Sequence, residues 1–127
     1  MPKRILVVDD DPGDQNFFCE ALNDIPIKVE CSIAINGRDA LDAIQTPPPP
    51  DIIFLDINMP IMGGFETLLV IKADARYRDI PVIMISTSKH DHDMERSKRL
   101  GAAQYIIKPT NFNQWRTELN NILSKFD

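Results

Sequence analysis

Five short apolar runs alternate with five longer amphipathic segments along the chain. The short runs, residues 4–8, 28–33, 51–55, 81–86 and 103–107, have the length of β-strands. Ile52-Ile53-Phe54-Leu55 and Val82-Ile83-Met84-Ile85 are unbroken, which predicts strands covered on both faces. Val29, Cys31 and Ile33 alternate with polar residues, which predicts an edge strand.

The intervening segments carry helical spacing. Asp11 offers an N-cap and Pro12 a first helical residue, followed by an apolar stripe of Phe17, Phe18, Ala21 and Leu22. Asn36-Gly37 opens a second helix with Ala40, Leu41 and Ile44 on one side, and Phe65, Leu68, Leu69 and Ile71 mark a third. A fourth runs from Met94 to Leu100 and stops at Gly101; Phe112, Trp115, Leu119, Ile122 and Phe126 define the fifth. That last stripe reads as core.

Regular β-α alternation predicts an α/β fold: a doubly wound parallel sheet with helices on both faces and right-handed crossovers. Ligands in such folds gather at the carboxyl ends of the strands, near the point where strand order reverses. Functional residues should therefore follow strands. The four prolines at 47–50 precede the third strand and fall on the opposite side. They read as a stiff extended connector, with a proline-recognition ligand as the alternative.

Composition narrows the picture. A chain of 127 residues, 43% hydrophobic and 26% charged, suits one soluble domain spanning 1–127. The net charge of −5 argues against a nucleic-acid surface. Half of the Lys and Arg residues do lie between Lys72 and Arg99, but acids are mixed among them, as on a solvated face. Nothing at the N-terminus resembles a signal peptide or membrane span, so a cytoplasmic protein is expected, with Cys19 and Cys31 as reduced core thiols. His90 and His92 are two apart on an expected helix and point to different faces, which disfavours a Cys/His metal site.

The candidate chemistry lies at the strand ends. The first strand ends in Asp9-Asp10, the third in Asp56, the fourth in Ser86-Thr87 and the fifth in Lys108-Pro109. Three carboxylates converging on a small volume repel one another without a cation, and Lys108 supplies a single positive charge. An oxygen-only donor set of few ligands suits Mg²⁺, which keeps several waters and commonly shares a phosphate oxygen. Cations and a hydroxyl at that edge suit phosphoryl transfer, with a carboxylate as nucleophile giving an acyl phosphate.

The segments ILVVDD (5–10), LDINMP (55–60) with Gly64, PVIMIS (81–86) and YIIKP (105–109) resemble the receiver domain of two-component response regulators over the whole chain. The resemblance implies a (βα)5 flavodoxin-like three-layer sandwich with strand order 2-1-3-4-5. Ser86-Thr87-Ser88, with Phe112 and Trp115 beyond the Lys-Pro pair, is further similar to single-domain receivers that partner bacteriophytochrome-type histidine kinases.

By that resemblance Asp56 is the phosphoacceptor, and Asp9 and Asp10 hold Mg²⁺, Asp10 directly and Asp9 largely through water. Asp56 and the backbone carbonyl of Asn58 complete the metal set. Ser86 is the switch hydroxyl, Lys108 the phosphoryl-contacting lysine before a cis Pro109, and Tyr105 the aromatic whose rotamer follows phosphorylation. Asn58 and Ser88 stand at positions that tune autodephosphorylation. The implied partners are a sensor histidine kinase or phosphotransfer protein. Output is expected through the helix 4–strand 5–helix 5 face, to a protein partner or a second copy, as no output domain follows Asp127.

Three departures stand out. Gly63 replaces an aspartate common before the glycine, which predicts a more mobile loop. Thr87 replaces a small alanine and is expected to narrow access to Asp56. The proline tetrad is unusual but distant. Other readings remain open: a receiver-like binding module that is never phosphorylated, a haloacid-dehalogenase-type phosphatase using Asp9 as nucleophile, and a flavodoxin-like cofactor protein, which Asp10-Asp11 disfavours by repelling phosphate.

Overall fold

The computed structural model describes residues 2–126. Five strands, β1 (Lys3–Val8), β2 (Val29–Ala34), β3 (Ile52–Asp56), β4 (Val82–Ser86) and β5 (Gln104–Ile107), alternate with five helices. The helices are α1 (Pro12–Asn23), α2 (Gly37–Ile44), α3 (Gly64–Ala73), α4 (Asp91–Arg99) and α5 (Phe112–Lys125). The strands form one parallel sheet in the order β2-β1-β3-β4-β5, so chain order reverses between β1 and β3.

Strand alternation divides the core into two layers. Ile5, Val7, Ile52, Phe54, Ile83 and Ile85 face α1 and α5, meeting Phe18, Leu22, Trp115 and Leu119. Leu6, Val8, Ile53, Leu55, Val82 and Met84 face the other way, onto Ala40, Ile44, Leu68 and Ile71. Phe18 sits between Phe54 and Trp115, with ring centroids at 4.8 and 5.4 Å in edge-on geometry. Every residue of β3 and β4 is buried, as their unbroken apolar runs require, and alternating β2 lies at the edge.

Three helices start on the side chains their sequences offer. Asp11 accepts from the Gly13 amide at 2.9 Å, Asn36 from that of Asp39 at 2.8 Å and Asn111 from that of Gln114 at 2.9 Å. Helix α4 begins at Asp91, a turn before the apolar pattern starts at Met94, because its first turn is polar and carries no apolar signal. His90 is its N-cap residue and His92 lies in that turn; both are exposed.

Residues 47–50 connect α2 to β3 at the amino-terminal edge of the sheet, where Asp51 exchanges hydrogen bonds with Arg4. The cis expectation for Lys108–Pro109 is corrected. Among the described residues the cis peptide bond is Pro47–Pro48, and Lys108–Pro109 is trans. An X–Pro bond separates its two isomers by only about 0.5–1 kcal/mol, so local packing decides between them. No described helix is long and apolar enough to cross a membrane.

Candidate functional site

The ladder hydrogen bonds run one residue past the strands and fix where the polar side chains emerge. Asp9 N–H donates to Ala34 O at 3.0 Å, Ile57 N–H to Ile85 O at 3.1 Å and Lys108 N–H to Ser86 O at 2.8 Å. Asp9, Asp56, Ser86 and Lys108 therefore come to one edge, at the end predicted from their position after strands.

Asp9 and Asp56 are buried, at 6% and 4% exposure, whereas Asp10 is exposed beside them. Carboxylate oxygens of Asp9, Asp10 and Asp56 all lie within 4.8 Å of one another. Asp9 Oδ1 accepts from the Asp11 amide at 2.9 Å, and Asp56 Oδ1 accepts from the Asn58 amide at 3.3 Å. Their Oδ2 atoms turn toward Lys108 Nζ, each at 3.4 Å.

The closest partner of Lys108 is one the sequence reading missed. Asp14 Oδ2, on the first turn of α1, accepts from Lys108 Nζ at 2.7 Å. The available signal was its place three residues after the Asp11 cap, on the turn that starts directly above β1.

Electrostatics follow from this crowding. Burial, reinforced by the charge of Asp9, raises the Asp56 carboxyl to about 6 despite Lys108 and the Asn58 amide. Burial also raises Asp9, against the opposing pull of the Asp11 amide and Lys108. Burial alone would lower Lys108; the Asp14 hydrogen bond and the charges of Asp56 and Asp9 outweigh it, and its pKa rises. Lys108 leaves Asp9, Asp10, Asp14 and Asp56 with an excess of negative charge. An oxygen-only cluster of this size, unbalanced by its single lysine, fits a hard divalent cation such as Mg²⁺.

A second group of contacts surrounds Ser88. Ser86 is fully buried, and its Oγ accepts from the Ser88 amide at 3.0 Å. The Tyr105 hydroxyl donates to Ser88 O at 2.8 Å, while Ser88 Oγ donates to Asp93 Oδ2 on α4 at 2.7 Å. One residue thus joins the end of β4, β5 and α4. Thr87 is exposed just outside Ser86, and the Asn58 side chain is also exposed.

The β3–α3 loop is shaped by close approach. A Cβ on Gly64 would lie 2.3 Å from Asp56 O, and one on Gly37 would meet Thr67 and Met62, so both positions require glycine. Gly63 has room for a side chain and an ordinary φ of −78°, and α3 starts there without a side-chain cap. The strained residue is Ile61, at φ 69° and 80% exposed, where Met62 N–H reaches back to Pro60 O at 2.7 Å. A β-branched residue in this conformation gave no pattern from which it could be predicted.

Known proteins share this fold. The chain is similar to protein PilH of Pseudomonas aeruginosa, with 32% identity over 121 residues, 95% of this chain and 98% of PilH. Its structure is similar to the phosphorylated cyanobacterial phytochrome response regulator RcpA, with a TM-score of 0.91, 30% identity and coverage of 99% and 94%. It is likewise similar to the Mn²⁺-bound form of response regulator Rcp1, with a TM-score of 0.86, 31% identity and coverage of 97% and 93%. The response regulator receiver domain model matches residues 5–120, and the chain belongs to that family.

Proposed function

We propose that the chain accepts a phosphoryl group on Asp56 from a histidine kinase or phosphotransfer protein and signals through the resulting change of shape. One observation carries this reading: Asp56 is a buried carboxylate flanked by Asp9, Asp10 and Lys108 at the carboxyl edge of the sheet. The Mn²⁺ of the Rcp1 structure and the phosphorylated state of RcpA, named for those relatives, support the same chemistry here.

Asp9, Asp10 and Asp56, with the Asn58 carbonyl, would hold Mg²⁺ or another divalent cation. When bound, that ion neutralises charge on the incoming phosphoryl group and lowers the cost of bringing it among acids. Asp56 attacks phosphorus in line, the bond to the donor nitrogen breaks, and an acyl phosphate forms. Lys108 exchanges part of its hold on Asp14 for a phosphoryl oxygen. Ser86 turns its hydroxyl to another oxygen and leaves the Ser88 amide, while Thr87 screens the approach of water. Hydrolysis of the acyl phosphate resets Asp56.

The Ser88 contacts supply the output link. Moving Ser86 disturbs the peptide whose carbonyl Tyr105 holds and whose hydroxyl ties to Asp93 on α4. The conformational balance of the α4-β5-α5 face then shifts toward a partner-binding state. A single 1–127 domain acting in the cytoplasm, as a monomer or as a homodimer formed through that face, completes the proposal.

The phosphatase alternative assigns the nucleophile to Asp9, whose carboxylate, like that of Asp56, accepts one backbone amide and faces Lys108. Beryllofluoride with Mg²⁺ tests the assignment. Two-dimensional NMR should show shifts spreading from residues 56–58 to 86–88 and 105, and Asp56→Asn should abolish them. Shifts that persist in Asp56→Asn but vanish in Asp9→Asn would move the nucleophile to Asp9.

A further inference from the structure

Two cysteines distant from the acidic site meet across an inter-element seam. Cys19 directly follows the buried Phe18 on α1, which places it at the border of the helix's apolar stripe. Cys31 lies on the half of β2 that turns inward, beside Val29, and packs on the same core layer. Both thiols are free and half-buried, and their sulfurs are 3.0 Å apart. The sequence spacing of twelve residues gave no hint of this, because the contact depends on α1 crossing back over the edge strand.

We propose that Cys19 and Cys31 form a redox modification site, oxidised to an intramolecular disulfide by small-molecule disulfides of the glutathione class. About 1 Å of further approach brings the sulfurs to covalent length, about 2.05 Å. β2 is an edge strand and neither thiol is fully buried, so a small disulfide can reach the seam.

A hydrogen bond across this contact lowers the pKa of the accepting thiol and raises that of the donor. Whichever cysteine ionises first is therefore the attacking thiolate, and the other is the resolving thiol.

The reaction balances as two exchanges. The first thiolate attacks one sulfur of the reagent, forming a mixed disulfide, breaking the reagent's S–S bond and releasing one thiolate. The second cysteine gives its proton to solvent and attacks the first Sγ, forming the Cys19–Cys31 bond and releasing the second thiolate. The protein loses two electrons and two protons overall, and the reagent is reduced to two thiols. The product ties α1 to β2 and closes the intervening loop, which restricts the unfolded chain.

The experiment treats the folded, reduced chain with oxidised glutathione, blocks residual thiols with iodoacetamide and measures intact mass. Expected is a product lighter by two hydrogens, carrying neither glutathione nor alkyl groups, with the peptides of Cys19 and Cys31 joined. Dithiothreitol should reverse it, and the oxidised form should melt at higher temperature. In Cys31→Ser and in Cys19→Ser a stable glutathione adduct should accumulate on the remaining cysteine, with no cross-link. Circular dichroism melts establish that both variants fold. Glutathione on both cysteines of the unaltered chain without a cross-link, or two thiols that stay reduced, overturns the proposal.

Discussion

Lys108 Nζ lies 2.7 Å from Asp14 and 3.4 Å from Asp56, so its strongest bond is to α1 and not to the proposed phosphoacceptor. Asp14 holds the lysine ready and also competes with any phosphoryl oxygen for it. Asp14→Asn should release it toward Asp56 and Asp9. Since Asp14 is partly exposed, the expected stability loss is about 1 kcal/mol, measurable by urea melts. Labelling of Asp56 by acetyl phosphate should become faster. A loss of labelling as complete as in Asp56→Asn would show that Asp14 acts as more than a tether.

The raised carboxyl of Asp56 gives a pH signature. With its folded pKa near 6 against 3.8 as the unperturbed value, the folded state holds the proton more tightly than the unfolded chain. Its contribution is fully present below the unfolded value and is lost as pH rises through 6. In metal-free buffer, stability relative to Asp56→Asn should fall across that window by a few kcal/mol at most. The raised pKa of Lys108 acts in the alkaline range and is fully favourable throughout. Mg²⁺ should flatten the decline, and paired melts across the window, with and without the ion, measure it.

Gly63 and Gly64 should respond in opposite ways. Gly64→Ala drives a methyl group into Asp56 O at 2.3 Å and should cost more than about 2 kcal/mol while displacing the end of β3. Gly63→Asp meets only Ile57 O at 3.5 Å and supplies the missing cap of α3, with an expected gain of a few tenths of a kcal/mol. Thermal melts of the two variants separate these effects.

Tyr105→Phe removes the hydroxyl bond to Ser88 O and nothing else at that position. The expected loss is about 0.5–1.5 kcal/mol. Asp56 should still be labelled at the normal rate, but the spread of NMR shifts to α4 should weaken. Unchanged shifts on α4 would separate Tyr105 from the output path.

Much of this was legible because burial leaves a periodic trace. The apolar runs of β3 and β4 follow from cover on both faces, and the N-cap at Asp11 follows from orphan amide donors. The strand-end rule collected Asp9, Asp56, Ser86 and Lys108 from distant parts of the chain. Asp14, the Cys19–Cys31 contact and the Ser88–Asp93 bond escaped it, because each depends on how a helix is seated on the sheet. The Lys108–Pro109 isomer escaped for a different reason: family resemblance does not fix a bond whose two states are so close in energy.

The most direct measurement is the site of covalent phosphate after exposure to acetyl phosphate and Mg²⁺. Intact mass should rise by one phosphoryl group, peptide mapping after borohydride reduction should place it on Asp56, and Asp56→Asn or Mg²⁺ removal should prevent it. An unmodified protein under these conditions, or phosphate found on Asp9 or another residue, would contradict the assignment.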